Sequence, residues 1–482
     1  MIAAPQFSIV AVHSFERDVR LRLPFRFGAA TVSGAPQAFV RVRIRCEDGR
    51  EAEGTAAELM IPKWFDKAPG KTHEDNIDDL RGALLAASDA YVSEQRPATA
   101  FGHFAAHGHA LQLQGRAAGR TALTTGFGGA LLDRAVLDAA CRAFDLSFAA
   151  AICANAPGIT DEFAPDLRGF DISAFLRTRV LPDSVAVRHT VGLLDAMFAS
   201  DFDNDASPGP GDDLPVALDA VIARYGYRHF KLKLSGDPEA DIERLSAIAV
   251  VLDRLPEYAV TLDGNEQFRD VAALASLVDM LRRDVRLRRL CGATLYLEQP
   301  LPRDLTLATG VAEVAAQMPL LIDESDASYA AFPMAREHGY TGVSSKSCKG
   351  LYKSIINAAR CVKWNAEAHA ARFFLSGEDL TTQAGLALQQ DTALAALLGI
   401  AHIERNGHHY VNGFAGQGAP ASEQQGFLDA HADLYERAGA NVRLRVRDGR
   451  LALGSLGGVG FASGVTPDFA SMRPMTLRAI TT

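Results

Sequence analysis

The run "FKLKLSGD" places Lys231 and Lys233 two residues apart in an otherwise apolar stretch. Side chains alternate across a strand, so both ammonium groups fall on one face while Phe230, Leu232 and Leu234 take the other. Further along, the runs "VTLDGNEQF", "TLYLEQP" and "LLIDES" each lead to a carboxylate, Asp263, Glu298 and Asp323. Three carboxylates brought together without a cation would repel one another and raise one another's pKa values. A divalent cation resolves that conflict. A donor set of hard oxygens without thiolate or imidazole favours Mg2+, with Mn2+ as a substitute, over zinc. A third lysine, Lys346, follows the run "TGVSS".

For these residues to meet, the elements that carry them must end at one place. From about 185 to 410 the runs "VAVRHTV", "FKLKL", "AVTLDG", "ATLYLEQ", "LLIDES", "GVSSK", "RFFLSG" and "AHIE" alternate with amphipathic helical segments. That order predicts an α/β fold with a (β/α)8 TIM-type barrel, a Rossmann-like open sheet being the alternative. In a barrel the C-terminal strand ends form one mouth. The second and sixth strands are opposed, so Lys231 and Lys233 would face Lys346 across the metal with room for a substrate between them. The helix after "FKLKLSG" is expected to be capped by Asp237, to carry Pro238 in its first turn and to bury Ile242, Leu245, Ile248, Ala249 and Leu252.

Before the barrel, residues 6 to about 57 alternate as strands, with a hairpin around Asp48-Gly49. From about 73 to 150 the period becomes helical, with Leu131, Leu132, Ala135, Val136 and Ala139 on one stripe. The expected organisation is an α+β capping domain over 1–160, the barrel with the metal and lysines over 180–410, and a segment over 411–482 that returns to the cap. A chain of 482 residues exceeds what one core usually serves.

A net charge of −9 argues against nucleic-acid or anionic-membrane binding, which calls for a basic surface. No apolar run is long enough to cross a bilayer, and the N-terminus lacks a signal-peptide pattern, so a cytoplasmic location is expected. The six cysteines are scattered without metal-site spacing and read as reduced thiols. "GSLGGVGFASG" has no strand–helix unit after it and reads as a loop rather than a dinucleotide site. The acidic stretch 201–213 has alanine where a calcium loop requires glycine, and it reads as a flexible loop. The histidines at 103, 107, 109, 408 and 409 match no motif and read as surface or core residues.

The order K-x-K, D-x-N, E-Q-P, D-E-S and K-x-x-K, here Lys231/Lys233, Asp263/Asn265, Glu298, Asp323/Glu324 and Lys346/Lys349, resembles the enolase superfamily. Within it the chain is most similar to the muconate-lactonizing branch of the mandelate racemase/muconate lactonizing enzyme family, which also contains dipeptide epimerases and o-succinylbenzoate synthases. "PFRFG" and "DGREAEGTA" resemble that family's capping domain, and "GGVGF" its C-terminal return. The resemblance implies removal of the proton beside a carboxylate in a small-molecule substrate, through an enediolate held on Mg2+ by Asp263, Glu298 and Asp323. It implies an isomerase or lyase: an epimerase, a cycloisomerase or a β-eliminating enzyme.

On this reading Lys233 and Lys346 are the bases. Lys231 lowers the pKa of Lys233 and binds the substrate carboxylate. Asn265, Glu378, Glu404 and Trp64 are expected to contact substrate, Trp64 as part of a lid in "IPKWFDKAPG" or else as an anchor between domains. The chain departs from the pattern in having Gly350-Leu351 where a glycine pair is usual, and in its greater length. Two other readings remain at this stage. A catalytically silent barrel acting as a scaffold would show no metal-dependent α-proton exchange, and a Schiff-base lysine aldolase would be trapped by borohydride without metal. A homo-oligomer stays open.

Overall fold

A computed structural model describes residues 4–28, 30–202 and 212–478. Within them β1 (Phe7–Phe27), β2 (Ala30–Cys46) and β3 (Glu51–Leu59) form an antiparallel sheet. The β2–β3 pairing runs from Gln37 opposite Leu59 to Arg45 opposite Glu51, and the chain reverses through Asp48 and Gly49 as the sequence predicts. Helices α1 (His73–Ser93), α2 (Ala100–Ala117) and α3 (Ala122–Ala143) come next. The predicted stripe of α3 is fully buried. It lies so close to β3 that a Cβ on Gly54 would meet the Ala139 amide nitrogen at 2.1 Å, so only glycine fits there.

The eight predicted strands are β4 (Ser184–Val191), β5 (His229–Lys233), β6 (Ala259–Asp263), β7 (Thr294–Glu298), β8 (Leu320–Ile322), β9 (Gly342–Ser345), β10 (Phe374–Gly377) and β11 (His402–Glu404). Each pairs in parallel with the next, and β11 pairs with β4 to close the barrel. The fold is a TIM-type α/β barrel with an N-terminal capping domain. Between β5 and β6 the helix Pro238–Leu252 is capped by Asp237, whose carboxylate accepts from the Glu239 and Ala240 amides. All five stripe residues are buried.

After the barrel, β12 (Tyr435–Ala438) and β13 (Asn441–Leu444) form a hairpin. Strand β14 (Arg450–Ala452) adds antiparallel to β4, and β15 (Arg473–Pro474) adds to β1. "GSLGGVGFASG" forms no strand–helix unit. Residues 203–211 of the acidic stretch lie outside the described residues. Asp212 and Asp213, at its end, pair with Arg22 at 2.6 Å and with Arg443 at 3.0 Å. Among the described residues no helix is long and apolar enough to cross a membrane.

The segment after β11 packs His408 and His409 beside His189 of β4, with His189 stacked on Tyr227 at 5.3 Å. Burial holds His189 at about 3 and His408 at about 4, well below the ordinary histidine value. The unfolded chain therefore binds more protons than the folded one once the pH drops below about 6.5. This contribution to stability is full above that pH and is lost as the pH falls toward 4. The loss is roughly 3 kcal/mol for His408 alone. Urea midpoints should drop from pH 7 to pH 4.5, and His408→Gln should flatten that drop; an unchanged slope would remove His408 from the account.

Candidate active site

Strand register brings the chemistry-bearing residues to one layer. Lys233 stands opposite Asp263, and Asp263 opposite Glu298. Asp323, Lys346 and Glu378 each come directly after the last residue of β8, β9 and β10, while Glu404 ends β11. Lys231 points into the barrel mouth. Its Nζ lies 2.9 Å from Asp263, 2.9 Å from Glu298, 2.8 Å from Glu378 and 3.0 Å from Glu404. Lys233 donates to Asp263 at 2.6 Å and to the Asn265 side-chain oxygen at 2.8 Å. On the opposite side Lys346 donates to Asp323 at 2.5 Å. Lys349 lies 3.4 Å from Asp323 and 3.0 Å from Asp326, which also meets Lys353 at 3.3 Å.

The electrostatics show how closely these groups converge. Burial alone would raise Glu404, yet Lys231, Lys233, Lys346 and Arg188 hold it well below the carboxylate range. Asp323 likewise stays ionised despite burial, because Lys346 and Lys349 face it. Burial opposes the charge of Lys346, but Asp323 more than offsets this and holds its proton on. Glu298 behaves differently: burial, then the negative charges of Asp263 and Glu378, push it well above the usual range.

Among the described residues no three His, Cys, Asp or Glu side chains stand open to a metal ion, since lysine ammonium groups lie between the carboxylates. The donor chemistry nevertheless fits a hard divalent cation. Asp263, Glu298 and Asp323 are all buried oxygen donors. Glu298 accepts from Lys231 through Oε1 at 3.0 Å, while its buried Oε2, 2.9 Å from the same ammonium, accepts no hydrogen bond.

The cap closes over this layer. Phe25, Phe27, Ile61 and Trp64 line, together with Lys231, Lys233 and Lys346, a cleft whose free room is about 20 Å³. That holds about one water, so a substrate requires the lysines or the Trp64 loop to move aside. The Trp64 ring lies 4.3 Å from Lys346 Nζ and edge-on to Phe65. The loop is tied to the barrel by Arg303, which donates to the Trp64 carbonyl at 3.0 Å and the Phe65 carbonyl at 3.1 Å. Lys67 pairs with Glu266 and lies 3.5 Å from Glu324.

The chain's other tryptophan, Trp364, is buried in the helix Leu351–Ala368, so Trp364→Phe isolates the Trp64 signal. In that background, a carboxylate shown by calorimetry to bind with Mg2+ should change Trp64 emission. Unchanged emission on binding would leave Trp64 a fixed domain anchor.

Of the residues singled out in the sequence, Lys231, Lys233, Asp263, Asn265, Lys346, Glu404 and Trp64 line the cleft, while Glu298 and Glu378 are paired with Lys231 and Asp323 with Lys346 without lining it. Glu378 and Glu404 are held through Lys231, with Arg188 behind Glu378 and Thr190 on Glu404. Sequence reasoning missed Arg188. Its signal was available, since a charged residue inside the apolar run "VAVRHTV" stands out just as the lysine pair does. It also missed the Lys349–Asp326–Lys353 chain and the residues after β10 that line the cleft, for which no pattern exists.

Similarity to known proteins is consistent with this layout. A family model described as Enolase C-terminal domain-like matches residues 214–462. No curated protein is similar enough in sequence to serve as a relative. Among solved structures, a muconate lactonizing enzyme from Pseudomonas fluorescens, complexed with muconolactone, superposes with a TM-score of 0.55 at 19% identity over 97% of this chain and 98% of that one. A dipeptide epimerase from Enterococcus faecalis V583, complexed with Mg and the dipeptide L-Leu-L-Tyr, gives 0.59 at 15% identity over 94% and 99%. An N-succinyl Arg/Lys racemase from Bacillus cereus ATCC 14579 gives 0.53 at 16% over 84% and 88%. At these identities the likeness is one of fold.

Proposed function

Because the chain belongs to the Enolase C-terminal domain-like family, we propose that it is a Mg2+-dependent enzyme that removes the α-proton of a small carboxylate substrate. The observation that carries this reading is the opposition of Lys233 and Lys346. They lie at the ends of β5 and β9, four strands apart around the barrel, and line the same cleft. A substrate lying between them presents one face to each. Asp263, Glu298 and Asp323 would hold the cation, which when bound stabilises the negative charge that develops on the substrate's carboxylate oxygens.

The chain's own residues do the rest. Lys231, charged and buried, provides a fixed positive site for the substrate carboxylate. Lys233, or Lys346 once it has left Asp323 and shed the proton that this carboxylate otherwise holds on, accepts the α-proton: the C–H bond breaks, its electron pair passes into the carboxylate to give an enediolate, and an N–H bond forms. Return of a proton from the opposite lysine gives the epimer. Return from the same side only regenerates the substrate, with exchange of its α-proton, whereas departure of a β-substituent with its bonding electron pair gives an elimination, whose reverse within one molecule is a cycloisomerisation. Asn265 holds Lys233 through its side-chain oxygen, and the Trp64 ring limits where the Lys346 ammonium can swing.

The test is α-deuterium incorporation in deuterated water with Mg2+ across acid sugars, dipeptides, N-acyl amino acids and muconates. Exchange in one class that stops on chelation supports the reading. Exchange in none, with binding demonstrated, tells against it.

A further inference from the structure

One residue of the cleft lining is at odds with its surroundings. Thr381, four residues beyond the end of β10, has φ of 56°, a left-handed conformation that is a genuine outlier for a β-branched residue. The loop is held in that shape from behind. Gln383 donates to the Thr381 carbonyl at 2.5 Å. A Cβ at Gly407 would meet the Thr382 carbonyl oxygen at 2.0 Å, so only glycine lets the two segments close. Thr381 is buried and lines the cleft, yet its hydroxyl has no hydrogen-bond partner among the described residues. A buried hydroxyl without a partner is costly, and strain of this kind gathers at ligand sites.

Apart from Asn265 and the charged residues, the rest of the lining is apolar: Phe25, Phe27, Ile61, Trp64 and Leu380. Among the described residues the only cations lining the cleft are Lys231, Lys233 and Lys346, and the reaction proposed above already uses all three, Lys231 for the reacting carboxylate and Lys233 and Lys346 for proton transfer. The carboxylates within reach are already committed. Asp379 accepts from the Thr382 amide at 2.9 Å, from the Thr382 hydroxyl and from the Asn406 amide at 2.7 Å. Glu404 accepts from Lys231 at 3.0 Å, the Asp379 amide at 2.9 Å, the Asn406 side chain at 2.7 Å and Thr190. A second carboxylate on the substrate would find apolar rings and no cation left free of another task, and an ammonium would find no free anion.

We infer that the substrate is a monocarboxylate whose α-substituent is uncharged and largely apolar and carries one amide or hydroxyl group that hydrogen-bonds Thr381. This names the substrate class of the reaction proposed above and rests on that reading. It excludes dicarboxylates of the muconate type and substrates with a free amine as the preferred ligands.

Three acids with a common core separate these cases: N-acetyl-L-phenylalanine, N-succinyl-L-phenylalanine and L-alanyl-L-phenylalanine. They are titrated calorimetrically into the full chain with Mg2+. The acetyl compound should bind at least about tenfold tighter than the other two. Thr381→Val, of the same shape without the hydroxyl, should weaken that binding by about tenfold, and Thr381→Ser should stay close to the parent. Tighter binding of the succinyl or alanyl compound, or a Thr381→Val protein that binds like the parent, would overturn the inference. The comparison among acids needs no variant, so it holds even if Thr381→Val fails to fold. Deuterium exchange is read separately. Selective binding of the acetyl compound without exchange supports the ligand class and removes the proposed reaction. Exchange confined to the succinyl compound overturns the class and leaves the reaction.

Discussion

Asp323→Asn should weaken Mg2+ binding by about a hundredfold or more and lower turnover by at least about a thousandfold, because a neutral amide cannot offset divalent charge as a carboxylate does. Asp323 is the sharpest place to test the shared cation. It lies one residue past β8, is buried, and accepts from Lys346, Lys349 and Ser344. The same substitution leaves two buried ammonium groups short of an anion, which costs about 3–5 kcal/mol of stability when one partner of a buried pair is removed. Metal affinity must therefore be measured at a temperature where the variant is folded. Titration calorimetry with Mg2+ decides. Parent-like affinity in the Asp323→Asn protein would mean that Asp263, Glu298 and Asp323 do not share one ion.

Much of this arrangement was legible in the residues, and for definable reasons. The barrel strands are buried on both faces, so "AVTLD" and "TLYLE" read as short apolar runs whose charged last residue cannot be explained by the core. Alternation within "FKLKL" separates Lys231 and Lys233 from Phe230, Leu232 and Leu234, and those three are buried among the surrounding helices. Period and register therefore carry the metal donors and the lysines.

The loops beyond the strand ends have no period. Arg303 reaches the Trp64 and Phe65 carbonyls across more than 200 positions of sequence, and nothing local to either segment announces that contact. The left-handed backbone at Thr381 is equally silent, because the residue that adopts it is not glycine. Strand β14 spans three residues and β15 two, too short for any alternation to show, and they attach the residues after 411 in two places, one on the barrel and one on the cap sheet.

The largest effect is expected at the two opposed lysines. Lys233→Ala and Lys346→Ala should each lower turnover by at least about a thousandfold, since a positioned base contributes on the order of a hundred- to ten-thousandfold. Loss of rate alone would be weak evidence, because either side chain also compensates a buried carboxylate, Asp263 for Lys233 and Asp323 for Lys346. Direction is the stronger readout. Each lysine can reach only the proton on its own face of the substrate, so removing one leaves the other able to exchange one stereoisomer. In an epimerase the two variants should show mirror-image preferences. In an elimination or cycloisomerisation one lysine carries all the exchange, and the other acts mainly through its charge.

The most direct measurement is proton NMR of α-deuterium exchange in deuterated water with Mg2+, run on the parent, Lys233→Ala and Lys346→Ala with each stereoisomer of a substrate that the parent exchanges. The expected result is stereospecific loss, with at least one variant unable to exchange an isomer that the parent exchanges readily. If both variants exchanged both isomers as fast as the parent, neither lysine would be the base, and α-proton abstraction by this opposed pair would be contradicted.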